Sequence, residues 1–324
     1  MKLILALFHL LPALSLADVP VIRIDGSSTV FPITEAVSEE FQKAEKGAVR
    51  VTVGISGTGG GFKKFCRGET DVQNASRPIV SKEMEDCRAS GVQYFEFPVG
   101  FDAIAVVVNP KNTLSEISVA DLKKIWAPES KGKVMKWNDV RPTWPGEPLK
   151  LYGAGADSGT FDYFTEAVNE KAKSSRGDYT ASEDDNTLVL GVSNDKNALG
   201  YIPLSYYSSN KGKLKLLGVA NDGKPAVLPS EKTVISGTYQ PLSRPVFLYV
   251  SAKAVERPEV RKYVEFYMRK GAGLVKAVGY VPLPDDAYTG NLKAMAGKRL
   301  GTVFGGRAAV GATIRDIMKR EAAH

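Results

Sequence analysis

Residues 154–164 read AGADSGTFDYF, and this stretch decides how the rest of the chain is interpreted. It follows a short apolar segment, 149–152, with the pattern of a strand, and it leads into an amphipathic helix. Small residues let the backbone turn tightly, and the first N–H groups of a helix have no partners inside it. These groups and the positive end of the helix dipole favour an anion. An ordinary helix cap uses the same residue types, so this stretch alone leaves both interpretations open.

Two other segments repeat this chemistry. Residues 25–32 read DGSSTVFP and residues 54–61 read GISGTGGG, and each lies between a short apolar strand and a helix. The pattern up to residue 77 therefore predicts β-α-β-α-β with a parallel sheet, whose ligands lie at the carboxyl ends of the strands. Residues 74–78, NASRP, end the third strand at that same edge. The guanidinium of Arg77 can hold an oxyanion through two hydrogen bonds, although a surface arginine before a turn-forming proline is an equal alternative.

Composition restricts the class of protein. The chain has 324 residues, of which 43% are hydrophobic and 24% charged, and this suits two domains with real cores. Its net charge of +7 comes from 43 basic and 36 acidic residues. Because both signs are scattered, with no long basic block, we expect neither a nucleic-acid partner nor binding to a membrane surface. A modest positive balance helps to collect anions.

The first 17 residues have the pattern of a signal peptide. Lys2 is followed by an apolar run over 3–16, and Ser15 and Ala17 form a small-x-small cleavage site. We expect cleavage after Ala17 and export of a chain that begins at Asp18. The sequence therefore predicts a periplasmic protein.

Cysteine and histidine usage narrows the chemistry further. Cys66 and Cys87 are expected to form a disulfide, because an exported chain meets an oxidising compartment. We expect no metal site built on Cys or His, since further ligands of these types are lacking. The two histidines are His9, in the predicted signal peptide, and His324, so a Ser-His-Asp triad cannot be built. A metal site made only of carboxylates stays open.

The remaining pattern predicts two lobes. An apolar strand over 98–110 leads out of the first lobe, and a strand over 246–250 returns to it, which is the organisation of lobes that close around a ligand. Between and after these strands we expect a helix over 118–127, a helix over 161–173, a loop over 174–186, helices over 258–269 and 271–277, and a tail from 292 whose basic residues form a solvated face. The predicted domains are a signal peptide (1–17), lobe I (18–104 and 247–324) and lobe II (105–246).

Taken together and in order, the four loop motifs resemble those of the substrate-binding proteins of phosphate ABC transporters. ALGY at 198–201 and the strand Val99–Asn109 also fit, so the resemblance covers most of the exported chain. It implies an α/β, two-lobed periplasmic-binding-protein fold of type II, in which each lobe is a mixed, mostly parallel sheet flanked by helices and two strands form the hinge. It also implies a monomer without cofactor or enzymatic activity, which binds inorganic phosphate and delivers it to a membrane-embedded permease through transient contact.

The resemblance also implies a set of ligand-binding residues. The candidates in the four loops are Ser28, Thr29, Val30, Ser56, Thr58, Ser76, Arg77, Asp157, Ser158, Gly159 and Thr160. Well-known members carry an Asp in the third loop, where this chain has Ser76, and an Arg before the fourth, where it has Ala154. Compared with those members, the positions of the negative and the positive charge look exchanged, as in a subgroup of the family. Arg77 would then supply the cation and Asp157 the acceptor.

An acceptor carboxylate would select phosphate, because phosphate keeps at least one proton near neutral pH and sulfate keeps none. A buried carboxylate accepts a hydrogen bond from that proton but leaves an unprotonated anion repelled. Asp157 is the main candidate; Asp71 and Asp102 are lesser ones, for which a structural hydrogen bond or a solvated turn is the favoured interpretation. The competing predictions are a binding protein for another tetrahedral oxyanion or a phosphonate, and a secreted phosphate-ester hydrolase.

Overall fold

The computed structural model describes residues 19–156, 158–221, 223–307 and 310–323, so the predicted signal peptide lies outside the described residues. The strands are β1 (Val21–Gly26), β2 (Arg50–Val53), β3 (Val72–Ala75), β4 (Tyr94–Val108), β5 (Glu116–Ser118), β6 (Lys150–Ala154), β7 (Thr180–Ser182), β8 (Ala198–Pro203), β9 (Lys215–Leu216), β10 (Gly218–Ala220) and β11 (Ser243–Ser251). The α-helices are α1 (Phe31–Ala44), α2 (Gly57–Cys66), α3 (Ser81–Ala89), α4 (Val119–Trp126), α5 (Trp137–Val140), α6 (Gly159–Asn169), α7 (Asp185–Asn194), α8 (Leu204–Ser209), α9 (Glu231–Ile235), α10 (Pro258–Ala277), α11 (Asp285–Ala296) and α12 (Ile314–Ala323).

Most strands form one continuous mixed sheet in the order β2-β1-β3-β11-β4-β8-β6-β7, with β9 also paired to β4. β1 runs parallel to β2 and β3, and β6 runs parallel to β7 and β8. The antiparallel pairs lie at the centre, where β11 pairs with β3 and β4, and β4 pairs with β8. Helices connect the parallel strands, as such crossovers require. The predicted α/β fold with mixed sheets is confirmed.

Strand β4 joins the two sides of this sheet. Its 15 residues are all buried, as expected of a strand covered on both faces. Residues Tyr94–Ala103 pair with β11, and Ile104–Val108 pair with β8. We call β1, β2, β3, β11 and the first part of β4 the first strand group, and the rest of β4 with β6, β7 and β8 the second strand group. The change of partner lies beside the predicted boundary of the lobes, whose assignment stays a prediction.

Several elements differ from the sequence pattern. α6 ends at Asn169, four residues before the predicted end at 173, and α7 begins at Asp185, inside the predicted loop. α10 is one helix where the sequence predicted two, and Gly271 within it lies at a close helix contact: a Cβ there would lie 3.3 Å from the ring of Tyr288 on α11. β7 lies within the segment 174–186 that the sequence predicted as a loop, and its short polar stretch lacks the apolar alternation of a strand. By contrast, α4 has the predicted start, since the Ser118 hydroxyl accepts from Asp121 N.

The segment after α11 packs on the first strand group. Phe304 is buried and its ring lies 5.4 Å from that of Phe247 on β11, while Ile317 on α12 is fully buried. Most basic residues of this tail are exposed, as predicted, whereas Arg299 is half-buried and donates to the carbonyl of Glu321. Among the described residues, no helix combines the length and the apolar character that a membrane span requires.

The predicted disulfide is present in the structure. Cys66, the last residue of α2, is bonded to Cys87 of α3, and both are buried. The 21-residue separation encloses β3 and the loop after it. The bond therefore braces the strand end that carries Ser76 and Arg77.

Candidate anion-binding site

The four predicted loops meet where the parallel strands end. The loop after β1 carries Thr29, the turn after β2 leads into α2, the loop after β3 carries Ser76, and β6 leads into α6. Because β1, β2 and β3 are parallel neighbours, their carboxyl ends share one edge of the sheet. The first turn of α6 faces that edge from the second strand group, since Thr29 Oγ1 and Thr160 Oγ1 are 3.0 Å apart.

Three side chains form the centre of this site: Thr29 before α1, Thr160 on α6 and Arg244 on β11. Arg244 Nη2 donates to Thr29 Oγ1 at 3.1 Å and to Thr160 Oγ1 at 2.8 Å. All three residues have no exposed surface. Two hydroxyls and a guanidinium can donate together to one oxyanion, because each can turn an N–H or O–H toward the same acceptor. We call Thr29, Thr160 and Arg244 the anion cluster.

A buried carboxylate balances the charge of this cluster. Arg244 Nη2 lies 3.2 Å from Asp102 Oδ2, and the two residues face each other in the register of β4 and β11. Burial raises the pKa of Asp102 to about 6, against the attraction of Arg244, which lowers it. Arg244 Nη1 donates to the carbonyl of Gly159 at 2.8 Å, whereas its buried Nε has no partner among the described residues. A buried donor without an acceptor is unfavourable, and a bound anion could satisfy it.

Gly159 permits close contact between the two strand groups. A Cβ at this position would lie 2.1 Å from Ser76 Oγ and 2.3 Å from Thr58 Oγ1, far inside van der Waals contact. These two hydroxyls lie 3.1 Å apart, and Ser76 N donates to Thr58 Oγ1 at 3.2 Å. The predicted residues Thr58, Ser76 and Gly159 are thus brought together next to the anion cluster.

The remaining predicted loop residues include three that form hydrogen bonds with protein groups: Ser158, Val30 and Ser56. Ser158 caps α6, since its Oγ accepts from Thr160 N at 3.1 Å. Val30 N donates to the carbonyl of Ser27 at 3.2 Å, inside the turn that also contains the buried Ser28. The side chain of Ser56 donates to Asp25, so it points toward its own strand group rather than toward the hydroxyl pair.

Two tyrosines hold the cluster in position. Tyr280 donates its hydroxyl to the carbonyl of Thr29, which fixes the loop after β1. The hydroxyl of Tyr163 on α6 donates to the carbonyl of Ser243 at 2.6 Å, and its ring lies 5.7 Å from the Arg244 guanidinium carbon. The contacts of Tyr163 join α6 to β11 immediately beside the cluster.

Arg77, the predicted cation, donates hydrogen bonds to two carboxylates of the protein. Its Nε donates to Asp162 Oδ2 at 3.0 Å, and its two terminal nitrogens donate to Glu83 at 2.9 and 2.8 Å. Nη1 also donates to the carbonyl of Pro78 at 3.1 Å. Burial alone would lower the pKa of Arg77, but the hydrogen bonds and charges of Glu83 and Asp162 raise it above its usual value. Arg77 lies next to the site, and in this arrangement it faces protein acceptors.

The predicted acceptor carboxylates have different outcomes. Asp157 lies outside the described residues, so its role stays a prediction. Asp71 accepts from Arg257 Nη2 at 2.9 Å and from Arg23 N at 2.8 Å, which is the structural role that the sequence favoured. Asp102, also favoured as structural, accepts a hydrogen bond from Arg244 of the anion cluster.

Sequence reasoning missed Arg244, and the missed signal was a single charge in an apolar strand. β11 is buried from Ser243 to Val250, and Arg244 is the one charged residue in that stretch. β4 carries two carboxyl groups, Glu96 and Asp102, in an otherwise apolar strand. A buried charge needs an opposite partner, so an arginine in one apolar strand and a carboxylate in another predict an ion pair between those strands, without deciding which carboxylate takes part. In the described part of the chain, no group of three His, Cys, Asp or Glu residues could hold a metal ion.

The fold and this convergence of hydroxyls and a guanidinium define a binding protein of the two-lobed α/β class. A model of the PBP superfamily domain matches residues 13–270. Protein SphX of Synechococcus elongatus is 52% identical over 297 residues, covering 92% of this chain and 88% of SphX. Phosphate-binding protein PstS of Staphylococcus saprophyticus is 37% identical over 269 residues, covering 82% of this chain and 81% of PstS. The chain therefore belongs to the PBP superfamily and, within it, to the family that includes SphX and PstS.

Solved structures agree with this assignment. The crystal structure of a possible phosphate binding protein from Planctomyces limnophilus is 49% identical, with a TM-score of 0.65, and covers 86% of this chain and 98% of its own. An ABC-type phosphate transport receptor from Vibrio cholerae has a TM-score of 0.63 and covers 81% of this chain and 100% of its own. At 20% identity the second match supports the fold alone.

Proposed function

We propose that this protein binds inorganic phosphate between two lobes and delivers it to an ABC-type permease. The observation that carries the proposal is the anion cluster, in which one guanidinium nitrogen is within hydrogen-bond distance of hydroxyls from both strand groups. The names of the relatives SphX and PstS support phosphate as the anion. Lobe I comprises 18–104 and 247–324, and lobe II comprises 105–246.

The proposed ligand set combines the predicted loops with the missed pair. Arg244 supplies the positive charge, because it is the cation in contact with the predicted hydroxyls, and Asp102 balances it. The remaining members are Ser28, Thr29, Val30, Ser56, Thr58, Ser76, Ser158, Gly159 and Thr160, with Asp157 as the candidate acceptor of the phosphate proton. Arg77 remains in the set only if its bond to Asp162 opens for the ligand.

The protein acts by binding and release, without chemistry on the anion. We propose that residues 1–17 direct export to the periplasm, that the exported chain is a monomer, and that no cofactor takes part. The absence of enzymatic activity is tested with nitrophenyl phosphate, where release of nitrophenol above the buffer rate would favour the hydrolase.

Titration calorimetry against a panel of anions tests the proposal. We expect tight binding of phosphate and much weaker binding of sulfate, molybdate and an alkyl phosphonate. Stronger binding of one of these competitors would identify the alternative ligand. Replacing Asp157→Asn and, separately, Asp102→Asn then asks which carboxylate sets the ratio of phosphate to sulfate affinity, because only the proton acceptor should change that ratio.

A further inference from the structure

Arg77 and Asp162 form an ion pair between the two strand groups. Arg77 follows β3 in the first group, and Asp162 lies on α6, which follows β6 in the second. Arg77 Nε is 3.0 Å from Asp162 Oδ2, and the two side chains are 6% and 5% exposed. Glu83, on α3 of the same lobe as Arg77, accepts two hydrogen bonds from the terminal nitrogens of the guanidinium.

We propose that Arg77 and Asp162 are an interlobe latch, which sets the balance between the open and closed forms and does not contact the anion. This inference rests on the proposed function, since the latch matters only to a protein that closes on a ligand. It assigns the predicted cation a positioning role and leaves the contact with the anion to Arg244.

The asymmetry of the three charges explains how the latch works. When the lobes separate, Arg77 keeps both bonds to Glu83, so its charge stays balanced within lobe I. Asp162 then gains water. When the lobes close, Asp162 loses that water, and its Oδ1 is buried without a hydrogen-bond partner in the described structure. The nearest cation on that side is Lys173 Nζ, at 3.8 Å. The closed form therefore depends on Arg77 to balance the Asp162 charge.

Removal of Arg77 should oppose closure for this reason. A buried charge that loses its partner is strongly unfavourable, whereas removal of both charges is often nearly neutral. The penalty falls only on the closed form, because Asp162 is hydrated in the open one. A second substitution that neutralises Asp162 should therefore restore binding. If Arg77 instead contacts the anion, a change at Asp162 cannot replace the lost contact.

Three variants separate these cases: Arg77→Met, Arg77→Met/Asp162→Asn and Arg77→Met/Glu83→Gln. Phosphate affinity is measured by calorimetry, and the urea midpoint of unfolding is measured without ligand. We expect Arg77→Met to weaken phosphate binding on the order of 100-fold and to lower the midpoint, because Glu83 also loses its partner. Adding Asp162→Asn should restore most of the affinity. Adding Glu83→Gln should restore the midpoint and leave the affinity low, which makes it the matched control.

Two results would overturn the latch. The first is unchanged affinity in Arg77→Met. The second is affinity that Asp162→Asn fails to restore, which would return Arg77 to the ligand set. The wild-type titration tests the proposed function separately: if another anion of the panel binds instead of phosphate, the variants are titrated with that anion. A wild-type protein that binds none of them overturns both proposals.

Discussion

A single nitrogen of Arg244 connects the two strand groups, since Nη2 lies 3.1 Å from Thr29 Oγ1 and 2.8 Å from Thr160 Oγ1. The two threonines are 131 positions apart in the chain, and Arg244 is on a third segment. Arg244 thus donates to two hydroxyls that also form a hydrogen bond with each other. It also places its positive charge where an anion would bind.

Arg244→Met should abolish most phosphate binding. The variant loses a charge-assisted contact, which is worth about 1.5–3 kcal/mol, and leaves Asp102 buried without its partner. We expect affinity to fall by at least about tenfold to 100-fold in calorimetry. The control is Arg244→Met/Asp102→Asn, which removes the unpaired carboxylate. Recovery of phosphate binding in this control would show that Arg244 acts on folding and not on the ligand.

Gly159→Ala should prevent full closure. The added methyl group would overlap Ser76 Oγ and Thr58 Oγ1, which belong to the opposite strand group. The open protein lacks this clash, so the urea midpoint without ligand should stay the same while phosphate affinity drops. Gly290→Ala on α11 is the matched control, because a Cβ there meets nothing within 4 Å. Small-angle scattering with saturating phosphate checks the expectation, and a Gly159→Ala profile as compact as wild type would contradict it.

Stability should fall as pH rises from 5 to 8, because of Glu96. This residue is buried under the C-terminal segment and accepts from Tyr249 OH at 2.6 Å and Val303 N at 2.9 Å. Burial raises the pKa of Glu96 to about 7, and burial also raises that of Glu321 to about 7. The pKa of Glu96 is higher in the folded protein than in the unfolded chain. Its contribution to stability is therefore fully present below pH 4.5 and is lost as pH rises through 7.

The measurement is urea unfolding at pH 5 and pH 8. The raised pKa of Glu96 corresponds to a difference on the order of 3 kcal/mol, and Glu96→Gln should remove that part of the pH dependence. The exposed Glu39→Gln serves as the control and should behave like wild type. Equal pH dependence in Glu96→Gln and wild type would show that Glu96 does not titrate in this range.

Loss of the disulfide should destabilise the first strand group. The bond between Cys66 and Cys87 closes a loop across 21 positions, which contributes about 3 kcal/mol in the chain-entropy model. We expect Cys66→Ala/Cys87→Ala to lower the free energy of unfolding by about that amount in urea. Wild-type protein treated with reductant should match the variant. If reductant leaves the unfolding curve unchanged, the two thiols are not bonded in solution.

Local sequence was sufficient to predict the loops of the site. Glycine, serine and threonine between a strand and a helix have a local cause, because they permit the turn and cap the helix. The family resemblance carried by these motifs implied that Thr29 and Thr160 belong to one site, and the structure places their hydroxyl oxygens 3.0 Å apart. The alternation of strands and helices likewise predicted the α/β fold, which is confirmed.

Long-range pairing was not accessible in this way. Asp102 and Arg244 are 142 positions apart, so no local pattern joins them, and β4 also carries Glu96 as a second candidate partner. The two carboxylate partners of Arg77 differ in this respect: Glu83 is only 6 positions away, whereas Asp162 is 85 positions away. A guanidinium can bind a ligand or a carboxylate, and only the fold decides which acceptor is near.

Strand β4 exchanges β11 for β8 between Ala103 and Ile104, one residue beyond Asp102, and Arg244 faces Asp102 from the next strand. An anion at this point would lie at the pivot of a rotation of one strand group relative to the other. Rotation moves atoms in proportion to their distance from the pivot, so the outermost strands, β2 and β7, would travel furthest. Fluorophores on the exposed residues Thr52 and Ala181 of these strands would therefore report anion binding as a change in fluorescence, without altering a residue of the proposed ligand set.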